Sequence, residues 1–329
     1  MSMSSESGSR VDWLLFVLLG FFWGSSYLFI KIGVDAGLEP FTLVALRLLV
    51  GFALLATVVL AAREPLPRSP RTYMHLVVLG FFSVALPFVL ITSAEQSVDS
   101  ALAATLTAPV PLFVIPIAAL LLREQITVNK VVGVTVGMIG VAILVGFDPA
   151  TIGGTDLMPQ LMLLTAALSY ALGGVYARRF VHGLRPMIPA LFQVFFAMVM
   201  TAIGAFALED PIGRAQAVPF EGLFAVLWLG LLGSGMAYLI FYRLLSRWGP
   251  TRVSLGAYLF PVWGIALGWL VLNEQINSGL VLGTALVVAG IAIVNLQRQA
   301  MMERATTLRA RFGRGPTDTP TPDPAAGPR

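Results

Sequence analysis

The chain has 329 residues, of which 57% are hydrophobic and only 12% are charged, whereas soluble domains average about 25% charged residues. This composition excludes a water-soluble globular protein. The absence of cysteine excludes disulfides and thiolate metal sites, and two histidines with scattered carboxylates leave little material for a metal centre. We therefore predict neither a metal nor a cofactor.

Ten apolar runs follow one another along the chain, each close to the roughly 20 residues that cross a bilayer core. They predict transmembrane helices at about 12–32, 40–62, 73–94, 98–122, 129–147, 158–178, 187–208, 219–242, 249–272 and 279–297. The Ser-rich start (1–11) and the Arg-, Pro- and Thr-rich end (298–329) are predicted to be disordered. The predicted fold class is an all-α integral membrane protein with ten transmembrane helices.

The basic residues predict the orientation of these helices, because cytoplasmic loops are enriched in Lys and Arg. With a cytoplasmic N-terminus, 18 of the 21 basic residues fall in internal loops or at the termini. Only Lys31 and Arg214 fall outside, and Arg47 lies within a helix. We therefore expect a multi-pass protein of the cytoplasmic membrane with both termini cytoplasmic. The positive charge then marks a membrane face, which argues against a nucleic-acid partner.

A stretch of 33 residues occurs twice, starting at Pro111 and again at Pro261. The two copies read PLFVIPIAALLLREQITVNKVVGVTVGMIGVAI and PVWGIALGWLVLNEQINSGLVLGTALVVAGIAI. Twelve of the 33 positions are identical at a constant offset of 150, including Glu124 with Glu274. A helix, a short polar hairpin and a second helix have therefore been duplicated.

The offset spans five predicted helices, an odd number, so the second copy must cross the membrane in the opposite sense. The hairpins agree with this, because the first carries Arg123 and Lys130 and the second carries no basic residue. We predict two five-helix repeats of inverted topology, 12–147 and 158–297, joined by a linker at 148–157. Inverted repeats are typical of secondary transporters, whose substrate site lies near the membrane midplane between the halves.

The chain resembles ten-helix members of the drug/metabolite transporter superfamily, of the EamA type, over about residues 12–297. The matching residues are Trp23, Gly24, Ser25 and Lys31 in the first helix, Pro40 and Arg47 in the second, and Glu124, Gly133, Gly140, Glu274, Gly283 and Gly290 in the duplicated stretches. Three positions depart from the family pattern. Arg123 and Asn273 stand where the family commonly has glycine, and Tyr170 stands where it often has tryptophan.

The resemblance implies a transporter that exports small metabolites, often amino acids, or toxic compounds. Relatives elsewhere in the superfamily carry sugars, nucleotide sugars and sugar phosphates. The departure at Tyr170 affects the expected pocket and hence the solute, so the resemblance leaves the cargo open.

Two prolines at equivalent repeat positions, Pro111 and Pro261, fall near the middle of the fourth and ninth predicted helices. A proline within a helix frees the carbonyl four residues back, here that of Thr107 in the first copy. Freed backbone groups in a membrane are tolerated where protein covers them or where they line a wet cavity. We favour a pocket or gate role for both prolines over a simple packing kink.

Aromatic and polar residues at mid-depth form the remaining candidate substrate site. Together with Thr107, they are Trp23, Ser26, Tyr27, Tyr170, Tyr176, Tyr238, Tyr258 and Trp263. A pocket with this lining would suit amphipathic solutes such as aromatic or apolar amino acids. Ordinary packing in the helix bundle explains any single one of them equally well, because a buried indole or phenol needs only one hydrogen-bond partner.

Two charged residues are candidates for coupling or structural roles. Arg47 lies well inside a predicted helix, and there we favour structural pairing with backbone carbonyls or a carboxylate over direct contact with an anionic substrate. For Lys31 we favour snorkelling to the interface. No carboxylate lies mid-helix, which favours a facilitator over a proton-coupled pump, with Glu95 as the fallback proton site.

Other classes of protein explain the sequence less well. A membrane enzyme would need a catalytic constellation, but His75 and His182 lie at predicted helix ends without a surrounding motif. A receptor would need a signalling domain, and the short Pro-rich tail does not provide one. The expected partners are a small-molecule substrate and the lipid bilayer. The sequence leaves monomer and homodimer open.

Overall fold

A computed structural model describes residues 10–146, 157–181, 183–213, 218–253, 256 and 258–294. Most of the predicted N-terminal segment (1–11) and linker (148–157), and all of the predicted tail (298–329), lie outside these residues. The helices of the first repeat are α1 (Arg10–Asp35), α2 (Pro40–Ala61), α3 (Pro70–Ala94), α4 (Ser100–Thr107), α5 (Val110–Leu122) and α6 (Val128–Leu144).

The second repeat continues the numbering. Its helices are α7 (Met158–Phe180), α8 (Met187–Leu208), α9 (Phe220–Trp228, Leu229–Met236 and Ala237–Val253 in succession), α10 (Leu259–Leu272) and α11 (Ser278–Val294). Among the described residues, seven helical spans are long and apolar enough to cross a membrane, α4 and α5 together (Ser100–Leu122) being one of them, and three shorter apolar helices accompany them. The predicted fold class of an all-α integral membrane protein is confirmed.

One predicted helix boundary is wrong, and one predicted helix is interrupted inside. The fourth predicted helix (98–122) agrees with the span Ser100–Leu122, but it is interrupted at Ala108 and Pro109, so that Pro111 lies in the first turn of α5 rather than mid-helix. The ninth was predicted to begin at residue 249, but the preceding helix continues to Val253 and α10 begins at Leu259. A proline is well tolerated in a first helical turn, where its missing N–H would have no partner anyway.

The two copies of the duplicated hairpin lie at opposite ends of the helix bundle. Glu124 in the first copy pairs with Arg178 near the end of α7. Glu274 in the second copy binds the start of α4, at Ser100 and Ala101. We call these two ends the Glu124 face and the Glu274 face.

Repeat-related glycines bring α6 and α11 into direct contact. A Cβ atom on Gly133 would lie 2.6 Å from the carbonyl oxygen of Gly290, and one on Gly140 would lie 2.7 Å from that of Gly283. The two duplicated helices therefore meet each other through the same two positions of the repeat. Small residues at such positions let membrane helices approach each other closely.

Candidate functional site

The centre of the bundle contains a hydrogen bond between two predicted site residues. The hydroxyl groups of Tyr27 in α1 and Thr107 in α4 lie 2.5 Å apart, and both side chains are buried. The Thr107 hydroxyl also lies within hydrogen-bond distance of the Ala103 carbonyl, one turn back in its own helix. Thr107 is the last residue of α4, so the break before α5 places this contact at the end of a short helix.

Arg47 is buried in α2, with only 2% of its surface exposed. Its Nη2 donates a hydrogen bond to the hydroxyl of Ser234 in α9 at 3.4 Å, and its Cζ lies 4.3 Å from the ring centroid of Phe88 in α3. Its Nε has no hydrogen-bond partner among the described residues. The predicted pairing with backbone carbonyls or a carboxylate is therefore wrong, because the neighbours that reach Arg47 are a hydroxyl and an aromatic ring.

The backbone around Arg47 departs from regular α-helix at repeat-related places. Residues Phe81–Ala85 of α3 and Leu229–Met236 of α9 form π-helical turns. Gly80 immediately precedes the first of these turns, and its repeat equivalent Gly230 is the second residue of the other. A Cβ atom on Gly233 would lie 2.8 Å from the Ser26 hydroxyl and 3.5 Å from Arg47 Nη2. The second π-turn thus brings its backbone and Ser234 against Arg47. Such turns often mark functional sites in membrane and soluble helices.

Aromatic side chains from three helices complete this cluster. The rings of Trp23 in α1 and Tyr238 in α9 pack edge to face with centroids 6.2 Å apart. Tyr238 also stacks on Tyr242, one turn further along α9. Tyr170 in α7 and Tyr238 both lie within electrostatic range of the Arg47 guanidinium. We call the set Trp23, Ser26, Tyr27, Arg47, Thr107, Tyr170, Ser234 and Tyr238 the central cluster.

Other predicted site residues lie elsewhere. Tyr176 is near the Glu124 face, where its hydroxyl lies 2.7 Å from Nδ1 of His75, so it is not part of the central cluster.

Trp263 packs its Cβ against Gly24 of α1 and its ring against Phe21. Pro261 is buried at the start of α10. Tyr258, which precedes α10, packs against the apolar core, as does the first turn of α5 that holds Pro111.

Glu95 follows α3 at the Glu274 face and is completely buried. Neither of its carboxyl oxygens has a hydrogen-bond partner among the described residues, and the same is true of the hydroxyl of Thr92. Lys31 does not neutralise this carboxyl group directly. Its Nζ donates to the Glu95 main-chain carbonyl at 3.1 Å and pairs with Asp35 at 3.1 Å. A position at a helix end therefore does not expose this carboxylate.

Sequence reasoning did not find two residues of this site, namely Ser234 and Phe88, whose ring lies against Arg47. The equivalence of Leu79-Gly80 with Leu229-Gly230 was a signal for Ser234, because both pairs lead into the π-turns. Phe88 carried no such signal. It lies in an apolar helix that is hydrophobic on every side, so the sequence does not indicate which face points inward.

The fold and this cluster define a class of protein. Two inverted repeats of apolar helices with polar groups buried between them are the architecture of secondary transporters. The sequence matches the EamA-like transporter family over residues 12–146 and 157–296, one match for each repeat. The chain belongs to the EamA-like transporter family.

Similar proteins occur in bacteria and plants. The chain is 24% identical over 274 residues to "Uncharacterized transporter YoaV" of Bacillus subtilis (strain 168), covering 82% of this chain and 91% of that protein. It is 28% identical over 278 residues to "Uncharacterized inner membrane transporter YedA" of Escherichia coli (strain K12), covering 83% and 87%. It is 24% identical over 300 residues to "WAT1-related protein At3g02690, chloroplastic" of Arabidopsis thaliana, covering 89% and 71%.

A solved structure has the same fold. It superposes with a TM-score of 0.63 at 22% identity and covers 88% of this chain and 99% of that chain.

Proposed function

We propose that this transporter exports amino acids or related amphipathic solutes by alternating access, with the solute bound at the central cluster. The observation that carries the proposal is Arg47. It is a buried cation between the two repeats, held by one long hydrogen bond to Ser234 and by the Phe88 ring. An ionisable group inside a membrane protein is costly and is a candidate functional group by default.

The chemistry of the cluster fits such a solute. A guanidinium group offers several N–H donors in a planar fork that matches a carboxylate, and Arg47 Nε has no partner among the described residues. The rings of Trp23 and Tyr238 provide an aromatic surface for an apolar side chain. Sugar phosphates fit less well, since a phosphate of higher charge would require more cations than Arg47 in the cluster.

Transport in proteoliposomes tests the proposal. A panel of radiolabelled amino acids is loaded inside, and exchange is measured for the wild type and for Arg47→Met. We expect the substitution to slow exchange of the transported amino acids about 30-fold or more, equivalent to ~2 kcal/mol or more of lost binding. The matched control is Arg185→Met, which changes an exposed arginine paired with Glu64 at 2.7 Å and is expected to change exchange less than about twofold.

Two results would contradict the proposal. One is that no amino acid in the panel exchanges faster than in empty liposomes. The other is that folded Arg47→Met protein, checked by size-exclusion chromatography, exchanges amino acids at the wild-type rate.

The orientation of the protein in the membrane is a further part of the proposal. We propose that the Glu124 face is cytoplasmic, because Arg123, Lys130, Arg178 and Arg185 lie there. Both chain termini would then be cytoplasmic, and the Glu274 face would be external.

Proton-coupled efflux, including efflux of toxic compounds, is a second candidate function, and Glu95 is the observation that favours it. A buried carboxyl group without a hydrogen-bond partner is expensive to keep ionised. The groups within electrostatic range of Glu95 are Glu274, Lys31, Arg47, Asp35 and Tyr27. The Lys31 ammonium contacts Asp35 and the Glu95 main-chain carbonyl rather than the Glu95 carboxyl group. We therefore propose Glu95 as the group that would exchange a proton in this second function.

An imposed pH gradient separates facilitation from coupling. In a coupled protein the gradient drives net solute movement, and Glu95→Gln abolishes that movement while exchange at equal pH persists. The control Glu64→Gln alters a carboxylate that pairs with Arg185 and should leave the response unchanged. A wild-type protein whose transport ignores the gradient would instead be the facilitator that the sequence favoured.

A further inference from the structure

The start of α4 is capped from another part of the chain. The backbone N–H of Ser100 donates to Oε1 of Glu274 at 2.8 Å, and that of Ala101 donates to Oε2 at 3.0 Å. The N-cap residue of α4 is Asp99, a good capping residue, yet its side chain makes no capping hydrogen bond. The first amides of a helix have no partner within the helix. The carboxylate of Glu274, which follows α10 in the chain, therefore accepts the capping hydrogen bonds that the Asp99 side chain does not accept.

The carboxylate of Glu274 is built tightly into this contact. Only 9% of Glu274 is exposed, and Ser100 is fully buried. A Cβ atom on Gly268 of α10 would lie 2.2 Å from Oε2 of Glu274, and one on Gly264 would lie 2.3 Å from the Cβ of Ala104. Two glycines thus let α10 lie against both the carboxylate and the side of α4.

α4 connects this cap to the central cluster. Its first residue, Ser100, is held by Glu274, and its last residue, Thr107, is hydrogen-bonded to Tyr27. Beyond Thr107 the helix is interrupted at Ala108 and Pro109 before α5 begins. An eight-residue helix that is bonded at both ends and interrupted at one of them can move as a unit about the interruption.

Outside the cap, the Glu274 face has a cleft of about 300 Å³. Its walls include Asp99 just before α4, Leu102 in α4, Leu144 at the end of α6, and Asn277 in the second hairpin. Ala101, whose amide Glu274 holds, also lines the cleft, so the cleft reaches the cap.

We propose that Glu274 is a gating residue that closes the solute path at the Glu274 face by holding α4 in place. Release of the two amides frees α4 to swing about Ala108 and Pro109, which opens this face and moves Thr107 relative to Tyr27. Because α4 carries Ser100 at the gate and Thr107 in the central cluster, opening the gate also changes the shape of the solute site. This inference rests on the proposed alternating-access transport.

Single cysteines test the gate without any knowledge of the solute, because the natural chain contains no cysteine. Thr105→Cys places a thiol on α4, one turn inward from the cap, at a residue that is fully buried. Thr201→Cys is a matched reporter in α8, since Thr201 is also buried and also donates to the carbonyl four residues back. The full-length protein is reconstituted in liposomes and labelled with a membrane-impermeant maleimide.

We expect Glu274→Ala to raise the rate of labelling at position 105 about tenfold, the scale of a lost helix cap, with no change at position 201. Glu124→Ala, the repeat-related variant, should change neither rate by more than about twofold. If Glu274→Ala leaves position 105 unlabelled, the gate is wrong. If it raises both positions together, Glu274 is a general structural brace and the gate is equally wrong. If amino-acid exchange fails while the selective labelling is found, the proposed solute is wrong and the gate stands.

Discussion

The two copies of the duplicated hairpin have the same backbone and different side-chain environments. Arg123 and Asn273 each end a helix in the left-handed region at φ 55°. The next amide, that of Glu124 or Glu274, donates to the carbonyl of Ala118 or Gly268, at 3.4 and 3.1 Å. The repeat therefore preserves the turn that directs each carboxylate.

The surroundings of the two carboxylates differ. Glu274 is buried on the start of α4, whereas the Glu124 side chain is 35% exposed and pairs with Arg178 and, at 3.7 Å, with Lys130. At Ala118 the first copy carries a Cβ where the second has Gly268. Sequence symmetry thus gives two equivalent turns, and the buried contacts of only one of them are suited to a gate.

The largest expected effect comes from removing the Glu274 carboxylate, with removal of the Glu124 carboxylate as the comparison. Glu274→Ala leaves two buried amides without an acceptor, which we expect to cost about 2–4 kcal/mol of unfolding free energy. Glu124→Ala removes partly exposed ion pairs and should cost about 1 kcal/mol or less. Denaturant titration in mixed micelles measures both. Equal losses would show that burial does not separate the two hairpins.

A smaller effect is expected at the position facing the Glu274 carboxylate. Replacing a helical glycine with alanine ordinarily stabilises by about 1 kcal/mol, but at Gly268 the new Cβ meets Oε2 of Glu274. We expect Gly268→Ala to cost about 1–3 kcal/mol, as overpacking does.

The same substitution in a Glu274→Ala background provides the control. Once the carboxylate is gone, Gly268→Ala should become neutral or stabilising, and the double-mutant cycle measures that coupling. Additive effects in the cycle would contradict the close approach of Gly268 to Glu274.

The smallest effect tests whether the two turns are alike. A left-handed conformation is strained for most residues and is tolerated better by asparagine. Arg123→Gly should therefore stabilise the folded protein by about 0.5–1 kcal/mol. Asn273→Gly should stabilise it by a few tenths of about 1 kcal/mol at most. Thermal unfolding of the two variants provides the measurement. A destabilised Arg123→Gly protein would show that the first turn is not left-handed.

Much of the fold could be predicted because each physical signal was local and repeated. Apolar runs near 20 residues gave the spans, and the seventh span, 187–208, coincides with α8 (Met187–Leu208). The constant offset of 150 gave the inverted repeat. The break at Ala108 could not be located from sequence, because Pro109, Pro111 and Pro116 each had the capacity to interrupt a helix there.

The candidate site was less predictable, since it depends on how the helices are rotated about their axes. A helix that is apolar on every side has no single hydrophobic face, so its sequence does not indicate which side packs inward. Tyr27 and Thr107 meet, whereas Tyr176 points instead to His75. Glu95 lies at a helix end, as expected, but tertiary packing buries it completely.

The asymmetry between the two hairpins is tested most directly by hydrogen–deuterium exchange at the start of α4. The first amides of a helix normally exchange fast because they lack partners within the helix. Our account predicts slow exchange for Ser100 and Ala101 in the wild type and in Glu124→Ala, and fast exchange in Glu274→Ala. Fast exchange of these amides in the wild type, or exchange that is unchanged in Glu274→Ala, would contradict the Glu274 cap and the gate inferred from it.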